Sequence, residues 1–277
     1  EQLQPSYYWG DELRWGLNAN ERGDPHNPMM DHHGRIWMTS TIRARENAEW
    51  CQEGSGNAFG EYFPLGRSGR QASYYDPKRG SFVLLDTCFG THHLIFTEDE
   101  NNTIWTSGGG QVIGWLNTKM YLETGDEEAS QGWTPLILDT NGNGRQDEYV
   151  EPDQPVDPTK DKRVSTGFYG VAANPVDGTI WGSSLGFPGL IIRVDPGPTP
   201  PETALTEVYE LPLDNAAAPV QGYSPRGMDI DRNGVVWTPL ASGHMASFDR
   251  SKCTGPLNGP TATGNHCPEG WTLYPEP

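Results

Sequence analysis

The chain has 277 residues, enough for one large all-β domain, and its 34 Gly, 24 Pro and 34% hydrophobic content exclude helical bundles and coiled coils, whose interiors avoid both Gly and Pro. Thirty-seven Asp and Glu against 19 Lys and Arg give a net charge of −18, which repels phosphate backbones and excludes nucleic acid as a partner. No apolar run reaches the roughly 20 residues that span a bilayer, so no membrane insertion is expected, and 10 Trp, 11 Tyr and 8 Phe are too many aromatic anchors for a disordered chain.

The first residue is Glu1 and no basic, apolar leader follows it, which reads either as a mature form after signal removal or as a fragment. Pro5 to Leu17 is expected to belong to a preceding structural repeat. From there a repeat recurs along the chain. Gly34-Arg35-Ile36-Trp37, Asn102-Thr103-Ile104-Trp105, Gly178-Thr179-Ile180-Trp181 and Gly234-Val235-Val236-Trp237 each follow an acidic or amide turn, and their Trp residues are spaced by 68, 76 and 56. A short strand, an Asp/Asn/Gly turn and a strand opening on Ile/Val-Trp predict a β-hairpin.

Two further strands are predicted after each hairpin: Gln71 to Tyr75 with Phe82 to Asp86, Val112 to Leu116 with Leu136 to Leu138, Leu190 to Val194 with Glu207 to Leu211, and His244 to Phe248 with Trp271 to Tyr274. Four antiparallel strands per repeat make one blade, so the fold class is all-β, a single β-propeller domain over 1–277, with insertions at about 43–70, 118–134 and 139–163. Most propellers close with six to eight blades. Four blades therefore predict part of a longer ring, completed by another chain or copy, with a closed four-bladed ring as the alternative.

The hairpins, together with Ser224-Pro225-Arg226-Gly227-Met228-Asp229-Ile230-Asp231 ahead of Gly234-Val235-Val236-Trp237, resemble the streptogramin lyase (virginiamycin B lyase) type of propeller. That resemblance covers about half the chain and implies a propeller whose family members open a cyclic depsipeptide by elimination, using magnesium and a histidine base. The residues after each Trp, Met38-Thr39-Ser40, Thr106-Ser107-Gly108, Gly182-Ser183-Ser184 and Thr238-Pro239-Leu240, differ from the Phe-Thr-Glu usual in that family.

Residues at the start of each innermost strand should ring the axial channel: His26 with Asn27, His92 with His93, Phe168 with Tyr169, and Pro225 with Arg226. Because adjacent residues of a strand face opposite ways, one of His92 and His93, taken as His93, is expected at the axis. His26, His93 and His244 together would suit a transition metal or magnesium, with Arg226 holding an anion and Tyr169 donating a hydrogen bond. The alternative is that these histidines are ordinary hydrogen-bonding residues. Ser107-Gly108-Gly109-Gly110 reads as a close backbone approach at the channel mouth.

A second cation signal lies in the third insertion. Oxygen side chains at Asp139, Asn141 and Asn143, then Gly144, the Arg145 carbonyl and Asp147, match the first half of an EF-hand-like calcium loop. The acid expected at the twelfth position is absent, since Val150 stands there, and Glu148 or Glu151 is the expected substitute. Four cysteines without a CxxC spacing predict two disulfides, Cys253–Cys267 across a polar Gly/Pro/Asn segment and, by default, Cys51–Cys88, which suit a periplasmic or secreted protein; the alternative is four reduced cysteines in a cytosolic chain.

Two functions follow. One is an exported metal-dependent lyase or hydrolase acting at the axis on a small anionic or cyclic substrate, with His93, His244, Arg226 and Tyr169 as its working residues. The other is a non-catalytic propeller that binds a glycan or protein through acidic loops and exposed aromatics, with calcium stiffening its frame.

Overall fold

The computed structural model describes residues 25–41, 45–108, 110–214 and 221–276; the segment Pro5 to Leu17, expected to belong to a preceding repeat, lies outside them, as does Gly109. The first sheet runs β1 (His26–Met30), β2 (Ile36–Ser40), β3 (Gln71–Asp76) and β4 (Ser81–Leu84), in that spatial order and all antiparallel. The second repeats the order with β5 (Leu94–Phe96), β6 (Thr103–Thr106), β7 (Val112–Asn117) and β8 (Gln131–Pro135). Three short strands follow, β9 (Ile137–Leu138), β10 (Tyr149–Val150) and β11 (Asp161–Arg163). The third sheet is built on β12 (Val171–Ala173), β13 (Ile180–Ser184), β14 (Leu190–Asp195) and β15 (Leu205–Glu210), and the fourth on β16 (Asp229–Ile230), β17 (Val236–Pro239), β18 (His244–Phe248) and β19 (Trp271–Pro275). The inner strands lie side by side in sequence, β1 by β5, β5 by β12 and β12 by β16, which is the radial arrangement of a β-propeller.

The repeat works as one physical device. In the first blade Asp31 accepts the N–H groups of His33 (2.8 Å) and Arg35 (3.0 Å) to close the hairpin turn, and its second oxygen accepts the Trp37 indole N–H at 3.0 Å. Asp231 does the same for Asn233, Val235 and Trp237 in the fourth blade. In the third blade the contact is relayed: Asp177 accepts from the Thr179 hydroxyl, which accepts the Trp181 indole N–H at 3.0 Å. Asp99 ties down Thr103 in the second.

Three of the four repeat indoles fill the gap to the following blade, while Trp237 stacks on Tyr274 of its own sheet. Trp37 packs with Leu94 and Ile104 of the second sheet, Trp105 with Phe168 and Ile180 of the third, and Trp181 with Val236 and Phe248 of the fourth. Full burial of an aromatic side chain removes about 150–250 Å² of surface from water, so these seams supply much of the hydrophobic stabilisation that holds blade to blade.

The second blade departs from expectation at its outer edge. Its fourth strand is Gln131–Pro135, not Leu136 to Leu138; Leu136 is buried, and Ile137–Leu138 turn away to pair with β15 and β11. The third sheet thereby gains three strands and has seven, in the order β10-β11-β9-β15-β14-β13-β12. An all-buried Gln131–Pro135 stretch carries Gln, Gly, Thr and Pro, which disguises it; its Trp133 is 1% exposed and donates its indole N–H to the Phe63 carbonyl at 2.8 Å. What remains of the 118–134 insertion is a two-turn helix, Thr118–Thr124, capped by the Asn117 side chain and closed by Gly125 at φ 72°.

Of the first insertion, the described part (45–70) carries a 3-10 turn at Glu49–Cys51 and the short helix Ala58–Tyr62, packed on β8. Cys51–Cys88 anchors it to the second blade, and Cys253–Cys267 closes the long connection between β18 and β19. No described helix is long and apolar enough to cross a membrane.

Candidate functional site

His26 opens β1, and the next residue, Asn27, has a left-handed backbone (φ 44°) that shifts the β1–β2 register between His26 and Met29. The Asn27 side chain then reaches across to accept the Leu94 N–H at 2.7 Å, so the first blade's inner end is fastened to the second at the point where the histidines meet. In the second blade the pleat begins only at Leu94. His92 and His93 lie in the bend before it, wrapped around Ser107, whose hydroxyl accepts the His93 N–H at 3.0 Å.

The structure brings His26 and His93 together and adds His92. The Nε2 atoms of His26 and His93 are 3.3 Å apart, and the His92 ring stacks on His26 with centroids 4.4 Å apart. Among the described residues, these three are the one group of three or more His, Cys, Asp or Glu side chains that can offer ligand atoms all within 4.8 Å of one another. The expectation that only one of the adjacent pair would face the axis fails because alternation is a property of a strand, and a bend precedes this one.

His244 is a correction of the opposite kind. It opens β18, the third strand of its blade, two strand spacings of about 4.8 Å out from the inner strand, and its Nδ1 lies 2.9 Å from the Ser242 hydroxyl. It has no place among the axial imidazoles.

Tyr169 contributes its backbone and ring face to this cluster. Its carbonyl accepts from His93 Nδ1 at 2.7 Å and from the Ser107 hydroxyl at 2.6 Å, while the ring lies 5.3 Å from His92 and 5.1 Å from His93. A carbonyl can only accept, so Nδ1 of His93 carries the proton and Nε2 presents its lone pair toward His26. Burial pushes His92 down to about 4, with the nearby His93, His26 and Arg70 adding to the shift, so its ring is neutral at physiological pH and available as a ligand.

Two cavities meet at this cluster. One of about 540 Å³ is lined by His92, Arg45 and Arg70; the other, of about 640 Å³, is lined by His93, Asn27 and Arg226. Tyr169 lines both. The Arg226 side chain is exposed, and its carbonyl accepts from the Ser183 hydroxyl, which fixes the backbone from which the guanidinium projects. On the first cavity's wall Gly108 meets Gly90 so closely that a Cβ at position 108 would lie 2.1 Å from the Gly90 carbonyl oxygen, as the glycine-rich stretch predicts.

The acidic loop is a separate place. Asp139, 3% exposed, accepts the N–H groups of Gly142, Asn143 and Gly144; the Asn141 side chain accepts from the Asn143 N–H, and the Asn143 side chain accepts from the Arg145 N–H. Asp147 takes a hydrogen bond from the Asn143 amide and an ion pair with Arg145 at 3.3 Å. Glu148 and Glu151, the expected substitutes at the loop's end, are instead paired outward with Lys160 and Arg163. The carboxylate beside the loop belongs to Asp161, which accepts the Asp147 N–H at 2.7 Å. It lies 14 residues beyond Asp147, out of reach of a spacing rule.

No family model and no curated protein matches the chain. Among solved structures it is similar to a streptogramin B lyase, at 15% identity and a TM-score of 0.47, covering 92% of this chain and 55% of that one. It is also similar to virginiamycin B lyase from Staphylococcus aureus (11% identity, TM-score 0.39, 91% of this chain and 70% of that one) and to regucalcin, a calcium-binding protein, from Agrobacterium tumefaciens (13% identity, TM-score 0.30, 91% and 74%). The likeness is one of fold. This chain spans about half the length of the streptogramin B lyase it matches.

Proposed function

We propose that His26, His92 and His93 hold a divalent transition-metal ion at the axis, and that the protein is an exported, metal-dependent lyase or hydrolase acting on a small anionic substrate. The observation that carries this reading is the convergence of three imidazoles within 4.8 Å. Nitrogen donors of this number favour zinc, copper, nickel or iron over magnesium, whose preferred ligands are oxygens. Such an ion would supply Lewis-acid polarisation of a substrate oxygen.

The chain's own residues do the rest. The Tyr169 carbonyl holds His93 in one tautomer, Ser107 holds that carbonyl, and Arg226 faces the cavity on the His93 side as the group to bind a carboxylate or similar anion. Two disulfides, one with both cysteines fully buried, fit folding in an oxidising compartment and support a periplasmic or secreted location.

The test is cobalt substitution of the full chain. Purified protein stripped of metal and titrated with Co²⁺ should develop a visible ligand-field spectrum at one ion per chain, lost in His93→Ala and in His26→Ala. A spectrum unchanged in both variants, or no binding of Co²⁺ or Zn²⁺, overturns the axial metal.

A second reading rests on a different patch. Of the tryptophans outside the repeat, Trp133 and Trp271 are buried, at 1% and 8% exposure, and offer no stacking face. Phe187, 73% exposed, pairs instead with Tyr223 at 5.2 Å, beside Leu185 on the rim of the His92-side cavity. That pair is the surface a glycan-binding propeller would use. Phe187→Ala abolishing glycan retention while the cobalt spectrum is absent would favour it.

A further inference from the structure

Asp161 is fully buried; one carboxylate oxygen accepts the Asp147 N–H, the Asn141 backbone N–H in the loop also bears on the carboxylate, and Oδ1 makes no hydrogen bond of full geometry. A buried carboxylate with an unsatisfied oxygen costs stability unless something pairs with it. The neighbouring cations do not: Arg145 pairs with Asp147, Lys160 with Glu148 and Arg163 with Glu151. Asp139, almost as buried, faces the same loop and has its oxygens held by three backbone N–H groups. Two buried acids and Asp147 thus surround one loop with no buried positive charge among them.

We propose that this loop binds one Ca²⁺ ion and that Asp161, from β11, supplies the carboxylate that Val150 cannot. As the chain stands the three carboxylates are not all within 4.8 Å of one another, so they have to draw in on the ion, with the amide oxygens of Asn141 and Asn143 and the Arg145 carbonyl completing the shell. That all-oxygen set suits a large hard cation with a flexible shell; magnesium demands a smaller, near-octahedral one, and transition ions prefer the imidazoles at the axis. The ion also has a structural consequence. Lys162 and Arg163 of β11 pair with β9 at the outer edge of the third sheet, and the Asp139 carbonyl accepts the Gly259 N–H at 2.7 Å from the disulfide-closed loop of the fourth blade. Calcium here fastens the insertion, the third sheet's edge and that loop at one point.

The experiment uses the full chain stripped with a chelator, titrated calorimetrically with CaCl₂ and melted with and without the ion. The expected result is one Ca²⁺ per chain with a dissociation constant at or below about 10⁻³ M, the weak end for extracellular sites, and a raised Tm. Asp161→Asn and Asp147→Asn should each weaken binding by about tenfold or more, the scale seen when even an outer partner of a metal ligand is lost. Asp161→Asn should in addition melt no lower than the stripped wild type, because the amide removes an unpaired buried charge, yet gain nothing from calcium; a merely structural carboxylate would show the reverse. The His26/His92/His93 triple alanine variant should still bind calcium. Should Asp161→Asn not fold, Asp147→Asn, at a partly exposed position, decides. No heat and no melting shift at about 5 mM calcium, well above that range, or unchanged affinity in the folded variants, overturns the site.

Discussion

Asp31 shows how much a single side chain can organise here. Burial works to raise its carboxyl, but the Trp37 indole, the N–H groups of Arg35 and His33 and the Arg35 charge together hold it below the usual carboxylate range. Asp31→Ala removes a turn cap and orphans a buried indole N–H at once, so a loss of about 2–4 kcal/mol is expected in urea unfolding. Asp231→Ala, in the more exposed fourth-blade turn, should cost less; equal losses would mean that burial of the Trp contact contributes nothing. His266 offers a pH test at the same scale. Burial depresses it, against the pull of Glu207 and Glu269, and its Nε2 is buried without a partner. Its folded pKa lies below the unfolded value of about 6.5, so as pH falls the unfolded chain takes up the proton first and stability drops below that pH. His266→Phe should flatten the part of the Tm–pH curve that falls away below about pH 6.5; an unchanged slope would assign it to other groups.

At the scale of the strand, the hydroxyl two residues after the repeat Trp joins one blade to the next. Thr39 donates to the His92 carbonyl at 2.8 Å, Ser107 to that of Tyr169, and Ser183 to that of Arg226; in the fourth blade the position is Pro239, which has no hydroxyl to give. Ser107→Ala leaves the half-buried His93 N–H unpaired and removes one of the two donors to the carbonyl that orients the imidazole. A loss of about 1–3 kcal/mol in stability and roughly tenfold in Co²⁺ affinity is expected. Lost stability with unchanged affinity would make the staple purely structural. The hairpins were legible because turn chemistry, β-branching and Trp recur together, and seven of the eight further strands fall where periodicity puts them. The eighth was misplaced because Ile137–Leu138 is the more hydrophobic run, whereas Gln131–Pro135 is buried by neighbours that the sequence does not announce. His92 was set aside in favour of His93, and the proposed ligand Asp161 went unnamed, for related reasons, since one depends on where a pleat begins and the other on which strand a loop is laid against.

For the molecule as a whole, the acidic excess and the proposed chemistry pull in different directions. A net charge of −18 attracts a metal dication and repels an anionic substrate at long range, yet the cavities that meet at the imidazoles carry Arg45 and Arg70 on one side and Arg226 on the other. Of these linings only the second includes a carboxylate, Asp229. On that proposal the outer field would concentrate the cation, while the inner walls would accept the anion once it arrives. Stopped-flow uptake of Co²⁺ by the stripped chain should slow as NaCl is raised from about 10 mM to about 200 mM, because the Debye length contracts from roughly 30 Å to below 10 Å and the distant acids no longer contribute. Arg226→Glu should leave that salt dependence nearly intact, since one side chain changes little of the summed field. A rate insensitive to salt would mean that the metal's approach is governed by the local walls alone, and the acidic surface would then have no part in loading the site.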